Sequence, residues 1–305
     1  MKKNLPEIEV ISVENVPEGA DAERVMENMI QRGAKMIIPA SFGYLDPALR
    51  VAQRHPDVRF FHPGGYKLAP NLTTCWASTP EAFYLMGIAA GKTTKTNKIG
   101  YVVALPISFF LANVNAFHLG ARSVNPKVET RVVFTGTFLD PANEATAANA
   151  LLEQGVDTLG VIVDSPITVV QTAEKSNGFT LGFHSTGAQK FAPKGWVTGV
   201  AFSWGNLYTK FAREVMDGSF KSRNILGTLN DDFLTLAPFG PAVPKDAITL
   251  IDAKKPELAS GKLQPFQGPL KDNRGTERVK AGEAFPLTEL RKMDLLVEGV
   301  VGQPK

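Results

Sequence analysis

Short apolar runs alternate with amphipathic segments along the chain, and this alternation predicts strands and helices in turn. The first run, at 9–13, is followed by a helix that begins near Asp21 and ends at Gly33. Further apolar runs, each set off by a helix or a Gly/Pro-rich turn, follow at 35–40, 58–62 and 72–76. Strands that alternate with helices predict an α/β fold in which helices cover both faces of a parallel sheet.

A second alternating series begins after a long apolar helix at 80–92. Its strands are predicted at 99–104, 130–135, 158–163 and 179–183, and its helices at 109–123, 141–154 and 166–176. The pattern continues with a strand at 196–202, a helix at 206–216, a strand at 233–237 and a helix at 244–259. Two such series predict two similar lobes, 1–96 with 195–222 and 97–194 with 223–305.

Composition does not alter the predicted fold, but it restricts the classes of partner that the protein is expected to bind. The chain has 305 residues, 44% hydrophobic, which is enough for two medium cores. Its 33 basic and 30 acidic residues are spread along the chain, so no cationic block favours a nucleic-acid partner. The single cysteine, Cys75, excludes an internal disulfide and is expected to be a buried thiol.

No targeting or catalytic signature is visible in the sequence. Residues 1–7 lack the apolar region of a secretion signal, and no run reaches eighteen apolar residues, so the chain as written is predicted to be soluble. Nucleophile, phosphate-loop and zinc motifs are absent, and the four histidines have no metal-site spacing. We therefore expect no catalytic residue, no metal and no cofactor.

Candidate binding residues gather where the predicted strands end, because open α/β sheets bind ligands outside their carboxyl ends. Trp204 could stack on a flat ligand, or it could be an ordinary packing residue. One of Phe109 and Phe110 is expected to face out, unless both pack in the core. Asp164 could accept hydrogen bonds from a ligand or could cap the next helix. His184 could contact the ligand or satisfy local backbone groups.

Several segments, in order and spread over essentially the whole chain, carry a family resemblance. They are NVPEGADAERV at 15–25, SFGYLDP at 41–47, KTNKIGYV at 95–102, NAFHLGARSVNP at 115–126, APK at 192–194 and LAPFGPAVP at 236–244. The chain resembles the basic-membrane-protein family, the purine nucleoside receptors that serve ABC importers.

The resemblance implies a type I periplasmic-binding fold, with two Rossmann-like lobes joined by three crossing segments around a ligand cleft. It implies a purine nucleoside or purine base as ligand, ABC permease subunits as partners, and a periplasmic or cell-surface location. Contact with the membrane would come only through the transporter or a lipid anchor. The cleft residues that it implies, none of them catalytic, are Phe42, Phe109, Asp164, His184 and Trp204.

The chain departs from the family pattern at three places. The family's Asn-Trp-Gly reads Ser203-Trp204-Gly205, and its Asp-Ser-Asp reads His184-Ser185-Thr186. Family members also open with a signal, a first strand and a first helix, whereas Met1 falls just before the second strand. The strand at 9–13 is therefore expected to lack its neighbour, which would leave an open slot beside Val10 or a strand shifted into it.

The sequence favours a solute-binding protein that captures a purine and delivers it to an importer. A cytoplasmic ligand-sensing regulator on the same fold, or a degenerate copy that no longer binds, stays as the alternative. An enzyme that processes sugars or nucleosides on a Rossmann-like scaffold is disfavoured by the missing catalytic motifs.

Overall fold

The computed structural model describes residues 1–229, 233–285 and 287–304. Its α-helices are α1 (Ala20–Gln31), α2 (Leu45–Arg54), α3 (Pro80–Thr93), α4 (Ser108–Val124), α5 (Pro141–Glu153), α6 (Pro166–Lys175), α7 (Trp204–Met216) and α8 (Lys245–Ala259). Short 3₁₀ turns lie at Phe42–Tyr44, Thr186–Phe191 and Leu287–Lys292.

The strands form one parallel sheet, one sheet that is parallel except at an edge strand, and one small antiparallel ribbon. They are β1 (Met36–Ile37), β2 (Arg59–Pro63), β3 (Leu72–Ala77), β4 (Lys98–Val103), β5 (Glu129–Phe134), β6 (Thr158–Ile162), β7 (Phe179–His184), β8 (Trp196–Phe202), β9 (Asn224–Gly227), β10 (Leu234–Leu236), β11 (Leu270–Lys271), β12 (Glu277–Val279) and β13 (Val300–Val301). The predicted α/β class with parallel sheets is confirmed.

The chain divides into two compact units and passes between them three times. The first unit is Met1–Ser78 with Ser203–Phe233, and the second is Thr79–Phe202 with Leu234–Lys305. These boundaries differ from those expected from the sequence, because α3 and β8 lie in the second unit and β9 in the first. The pairing explains the difference: β8 is hydrogen-bonded to β7 and β10, whereas β9 is hydrogen-bonded to β3.

The first unit is built on a sheet of order β1-β2-β3-β9, in which every pair is parallel. Met26 of α1 and Val51 of α2 pack with Phe60 of β2 in one buried cluster. Helix α1 ends at Gln31, two residues before the predicted Gly33, whose φ of 94° is the left-handed conformation that terminates helices. The buried thiol expected at Cys75, in β3, is also confirmed.

The prediction of a strand at 9–13 is wrong. These residues form no strand in the structure, and Val10 and Val13 are exposed, at 40% and 48%. A strand is stable only when a neighbour pairs with its backbone groups, and among the described strands β1 pairs with β2 alone. The apolar composition of this segment is therefore not enough to make it a strand.

The second unit contains a seven-stranded sheet of order β10-β8-β7-β6-β4-β5-β13, in which β10 alone is antiparallel to its neighbour. Helices α3 and α4 touch backbone to backbone at two glycines. A Cβ atom on Gly87 would lie 2.0 Å from the carbonyl oxygen of Phe117, and one on Gly120 would lie 2.0 Å from that of Tyr84. Within the described residues, no helix has both the length and the apolar composition to cross a bilayer.

Candidate functional site

Three of the predicted site residues follow three neighbouring strands of the second unit. Strands β4, β6 and β7 lie side by side and parallel, so their carboxyl ends share one edge of the sheet. Phe109 comes after β4, Asp164 after β6, and His184 is the last residue of β7. Because neighbouring strands lie about 5 Å apart, the structure gathers these residues at one edge.

Aromatic rings and one backbone hydrogen bond connect the loops at this edge. Phe109 and Phe110 open α4, and their ring centroids are 5.8 Å apart. Phe110 makes an edge-to-face contact at 6.1 Å with Phe138, in the loop after β5. The carbonyl oxygen of Phe138 accepts a hydrogen bond of 2.7 Å from the backbone N–H of Asp164. The prediction that one ring of the phenylalanine pair faces outward agrees with burial, since Phe109 is half-buried and Phe110 is buried.

Asp164 lies at the start of the helix that follows it. The N-cap position of α6 is occupied by Ser165, with Pro166 as the first helical residue, so Asp164 lies one position before the cap. Asp164 is exposed to solvent at the carboxyl edge of the sheet.

His184 has an unusual backbone conformation for its residue type. Its φ is 68°, in the left-handed region that side-chain-bearing residues rarely adopt, and such strain is concentrated at functional sites. Its ring is stacked on Phe202, the last residue of β8, with centroids 5.6 Å apart. Desolvation by surrounding protein lowers the pKa of the imidazole to about 4. This shift favours the neutral form of the ring.

The left-handed conformation of His184 leads to a first prediction. We expect His184→Val to be less stable than His184→Asn by about 1–2 kcal/mol, because a β-branched side chain clashes at positive φ whereas asparagine tolerates it. Both variants lose the ring contact with Phe202, so the comparison isolates the backbone. Urea unfolding measures the difference, and equal stability of the two variants would contradict the assigned backbone conformation.

In the first unit, Phe42 is part of an exposed aromatic group at the carboxyl edge of the sheet. It begins the turn after β1, is 38% exposed, and lies 6.0 Å from the ring of Tyr66, which follows β2. Trp76, near the end of β3, approaches the same place, since a Cβ atom on Gly64 would be 3.7 Å from its indole and 4.0 Å from the Phe42 ring. Two aromatic rings therefore lie beside Gly64, and Tyr66 extends this group through its contact with Phe42.

Trp204 is the first residue of α7, in the first unit. Its indole is stacked on Tyr208, one helical turn later, at 5.5 Å and 20°, and meets the edge of Phe233 at 4.8 Å. The side chain is half-buried, so it is held by its neighbours without being enclosed in a core. Such a ring combines a fixed orientation with an accessible surface.

Several aromatic residues at these edges were not predicted from the sequence. They are Tyr66, Trp76, Phe138 and Phe202. Phe202 and Trp76 lie inside runs that look like core strands, and Phe138 lies in a loop whose path the sequence does not define. The one available signal was position, because each residue falls within four residues of a strand's carboxyl end.

The remaining histidines lie away from these edges or inside the protein. His62 and His118 are fully buried, and desolvation lowers the pKa of each to about 4. His55 is 2.6 Å from the carboxylate of Glu27 on the outer helices. Across the described parts of the chain, no group of three or more His, Cys, Asp or Glu side chains is arranged to hold a metal ion.

Two α/β units with largely parallel sheets, joined by three passages of the chain and bearing aromatic residues at their carboxyl edges, are typical of the periplasmic-binding-protein fold. The chain belongs to the family of PnrA-like ABC transporter substrate-binding proteins, whose family model, Bmp, matches residues 1–255. The resemblance inferred from the sequence motifs is thereby confirmed.

Individual relatives agree with this family. The chain is 38% identical to a purine-binding protein of Brucella abortus over 96% of its length and 83% of that protein. It is 30% identical, over 93% of its length and 70% of the relative, to a Haloferax volcanii protein provisionally named an ABC transporter glucose-binding protein. Among solved structures, a solute-binding protein of an ABC transporter system from Conexibacter woesei is similar with a TM-score of 0.64 and 27% identity, covering 80% of this chain and 83% of that one.

Proposed function

We propose that this protein binds a purine base or purine nucleoside and delivers it to the permease of an ABC importer. The binding residues we propose are Phe42, Phe109, Asp164, His184 and Trp204. The ligand class is supported by the similarity to the purine-binding protein of Brucella abortus. The role in delivery rests on the family, and it implies that the protein acts on the outer side of the membrane.

The observation that carries the proposal is the presence of oriented aromatic rings at the carboxyl edges of both sheets. Trp204 is fixed by Tyr208 and Phe233, and Phe42 is fixed beside Tyr66, yet neither ring is enclosed. A purine presents two flat π-faces, and stacking of a base on an aromatic side chain contributes about 1–3 kcal/mol. Fixed rings lose little conformational entropy when a flat ligand stacks on them.

Two polar groups at the edge of the second unit suit the rim of a purine. The carboxylate of Asp164 accepts hydrogen bonds from ring N–H, amino or ribose hydroxyl groups, and a charged acceptor is strong and selective. The neutral imidazole of His184 donates at one nitrogen and accepts at the other, which fits a ring edge that carries both kinds of group. Together these hydrogen bonds would fix the in-plane rotation of the ligand, which stacking alone leaves free.

A sugar is the competing ligand, because one relative is provisionally named a glucose-binding protein. The proposal is tested by a thermal-shift screen of the chain against hypoxanthine, adenine, adenosine, inosine, glucose and ribose, followed by isothermal titration of each hit. A ligand at 100 times its dissociation constant stabilises the folded state by about 2.7 kcal/mol. We expect at least one purine to give this stabilisation while glucose and ribose give none.

Stabilisation by glucose or ribose without any purine would overturn the ligand class. The absence of any shift, with a circular-dichroism spectrum showing a folded chain, would favour a copy that no longer binds. A tight complex with adenosine but not adenine would assign the nucleoside rather than the base.

A further inference from the structure

Glu144 is a fully buried carboxylate at the start of α5, in the second unit. Its exposed fraction is 0%, and its described hydrogen bonds come from two neutral donors in two different loops. The backbone N–H of Asp140, in the loop after β5, donates to Oε1 at 3.1 Å. The hydroxyl of Ser165, in the loop after β6, makes a short hydrogen bond to Oε2. Burial of a carboxylate is unfavourable unless such donors satisfy it, so both loops are held to it.

The loop after β6 carries Asp164, a proposed ligand-binding residue, and the loop after β5 carries Phe138. Ser165 directly follows Asp164, and the backbone N–H of Asp164 donates to the carbonyl of Phe138 at 2.7 Å. The loop after β5 is also held by Asn143, whose side-chain amide donates to the carbonyl of Thr135 at 2.9 Å. Glu144 therefore contacts, through Ser165, the loop that carries Asp164 at the sheet edge.

Ser165 uses its hydroxyl in an unusual way for a helix cap. An N-cap serine ordinarily accepts a hydrogen bond from a backbone N–H of the first helical turn, and that bond stabilises the helix. Here the N-cap of α6 makes no side-chain cap hydrogen bond, and its hydroxyl donates to Glu144 instead. By contrast, Asp140, the N-cap of α5, does accept from the N–H of Asn143. Helix α6 therefore lacks the stabilisation of a side-chain cap, and the hydroxyl instead fixes the position of the 163–166 loop.

We propose that Glu144 is a positioning residue of the ligand site, which acts through Ser165 to hold Asp164 in its binding orientation. This inference rests on the proposed function only for its effect on affinity. Its structural part, the ordering of the 163–166 loop, can be measured without any ligand. Glu144 itself touches no ligand, because its side chain is enclosed.

The experiment compares three variants of the full chain. Glu144→Ala and Ser165→Ala each remove the contact, whereas Glu144→Gln can keep both bonds, its oxygen accepting from Asp140 and its amide donating to the Ser165 hydroxyl. Leu151→Ala is the control, because Leu151 is buried in the same helix and its truncation weakens packing while leaving both hydrogen bonds in place. Hydrogen exchange of the Asp164 amide is measured without ligand, and hypoxanthine and adenosine binding are titrated well below the unfolding temperature.

We expect exchange of the Asp164 amide to accelerate about tenfold in Glu144→Ala and Ser165→Ala, but not in Glu144→Gln or in the control. Purine affinity should fall roughly tenfold in the same two variants, and this loss should disappear in an Asp164→Ala background, as coupling between neighbouring residues requires. Unchanged exchange in Glu144→Ala, or equal acceleration in Leu151→Ala, would overturn the inference. If the wild-type chain binds no purine while exchange behaves as expected, the proposed ligand fails and the positioning role of Glu144 stands.

Discussion

Replacement of Gly120 by alanine is expected to destabilise the second unit by about 3 kcal/mol or more. The new Cβ atom would lie 2.0 Å from the carbonyl oxygen of Tyr84, a distance that real Cβ contacts do not reach. The position of the Cβ atom is fixed by the backbone of α4, and the carbonyl belongs to the backbone of α3, so no side-chain rotation relieves the collision and α4 must move off α3. Overpacked cores lose about 1–3 kcal/mol, and a backbone collision lies at the upper end of that range.

Calorimetry measures this prediction as a fall of about 6–12 °C in the transition of the second unit. The control is Gly205→Ala, another helical glycine, around which nothing lies within 4 Å of the new Cβ position. Because alanine is a better helix former than glycine, that variant should be neutral or more stable by up to about 1 kcal/mol. A loss below about 1 kcal/mol for Gly120→Ala would mean that the two helices are not in backbone contact.

The helices could be predicted from the sequence because their signals are local. The period of apolar residues and the glycine at position 33 defined α1 to within two residues, since both act within one helical turn. Strands depend on partners that are distant in the chain. Residues 9–13 have the composition of a strand and lack a partner, whereas β9 is largely exposed, has no clear apolar run, and forms by pairing with β3 at Thr74 and Asn224.

The location of the candidate site could be predicted from the topology of the sheet. The backbone conformation and the buried contacts that hold its residues in position could not. Because all parallel strands end at one edge, residues such as Asp164 and His184 could be selected from position alone. The left-handed backbone of His184 has no sequence signal, since histidine is not a residue that turns demand. Glu144 reads as an ordinary surface residue of an amphipathic helix, and its burial arises from two loops that fold over it.

Removal of the indole of Trp204 is expected to have the largest effect on binding. If a purine stacks on this ring, Trp204→Ala should raise its dissociation constant by roughly 5- to 150-fold, which corresponds to the 1–3 kcal/mol that stacking of one base contributes. Trp204→Phe keeps a π-face on the same scaffold of Tyr208 and Phe233, so it should recover part of the affinity. Isothermal titration with the tightest purine measures all three proteins.

The matched control is Phe220→Ala, which truncates another half-buried aromatic side chain of the first unit. Phe220 follows the far end of α7 and contacts Phe211 at 6.3 Å, so its loss weakens packing in the same unit without touching the carboxyl edge. We expect its dissociation constant to stay within about twofold of the wild-type value, even though its unfolding temperature falls. Equal losses of affinity in Trp204→Ala and Phe220→Ala would show that the indole acts through stability, because a stacking contact is lost only when the ring itself is removed.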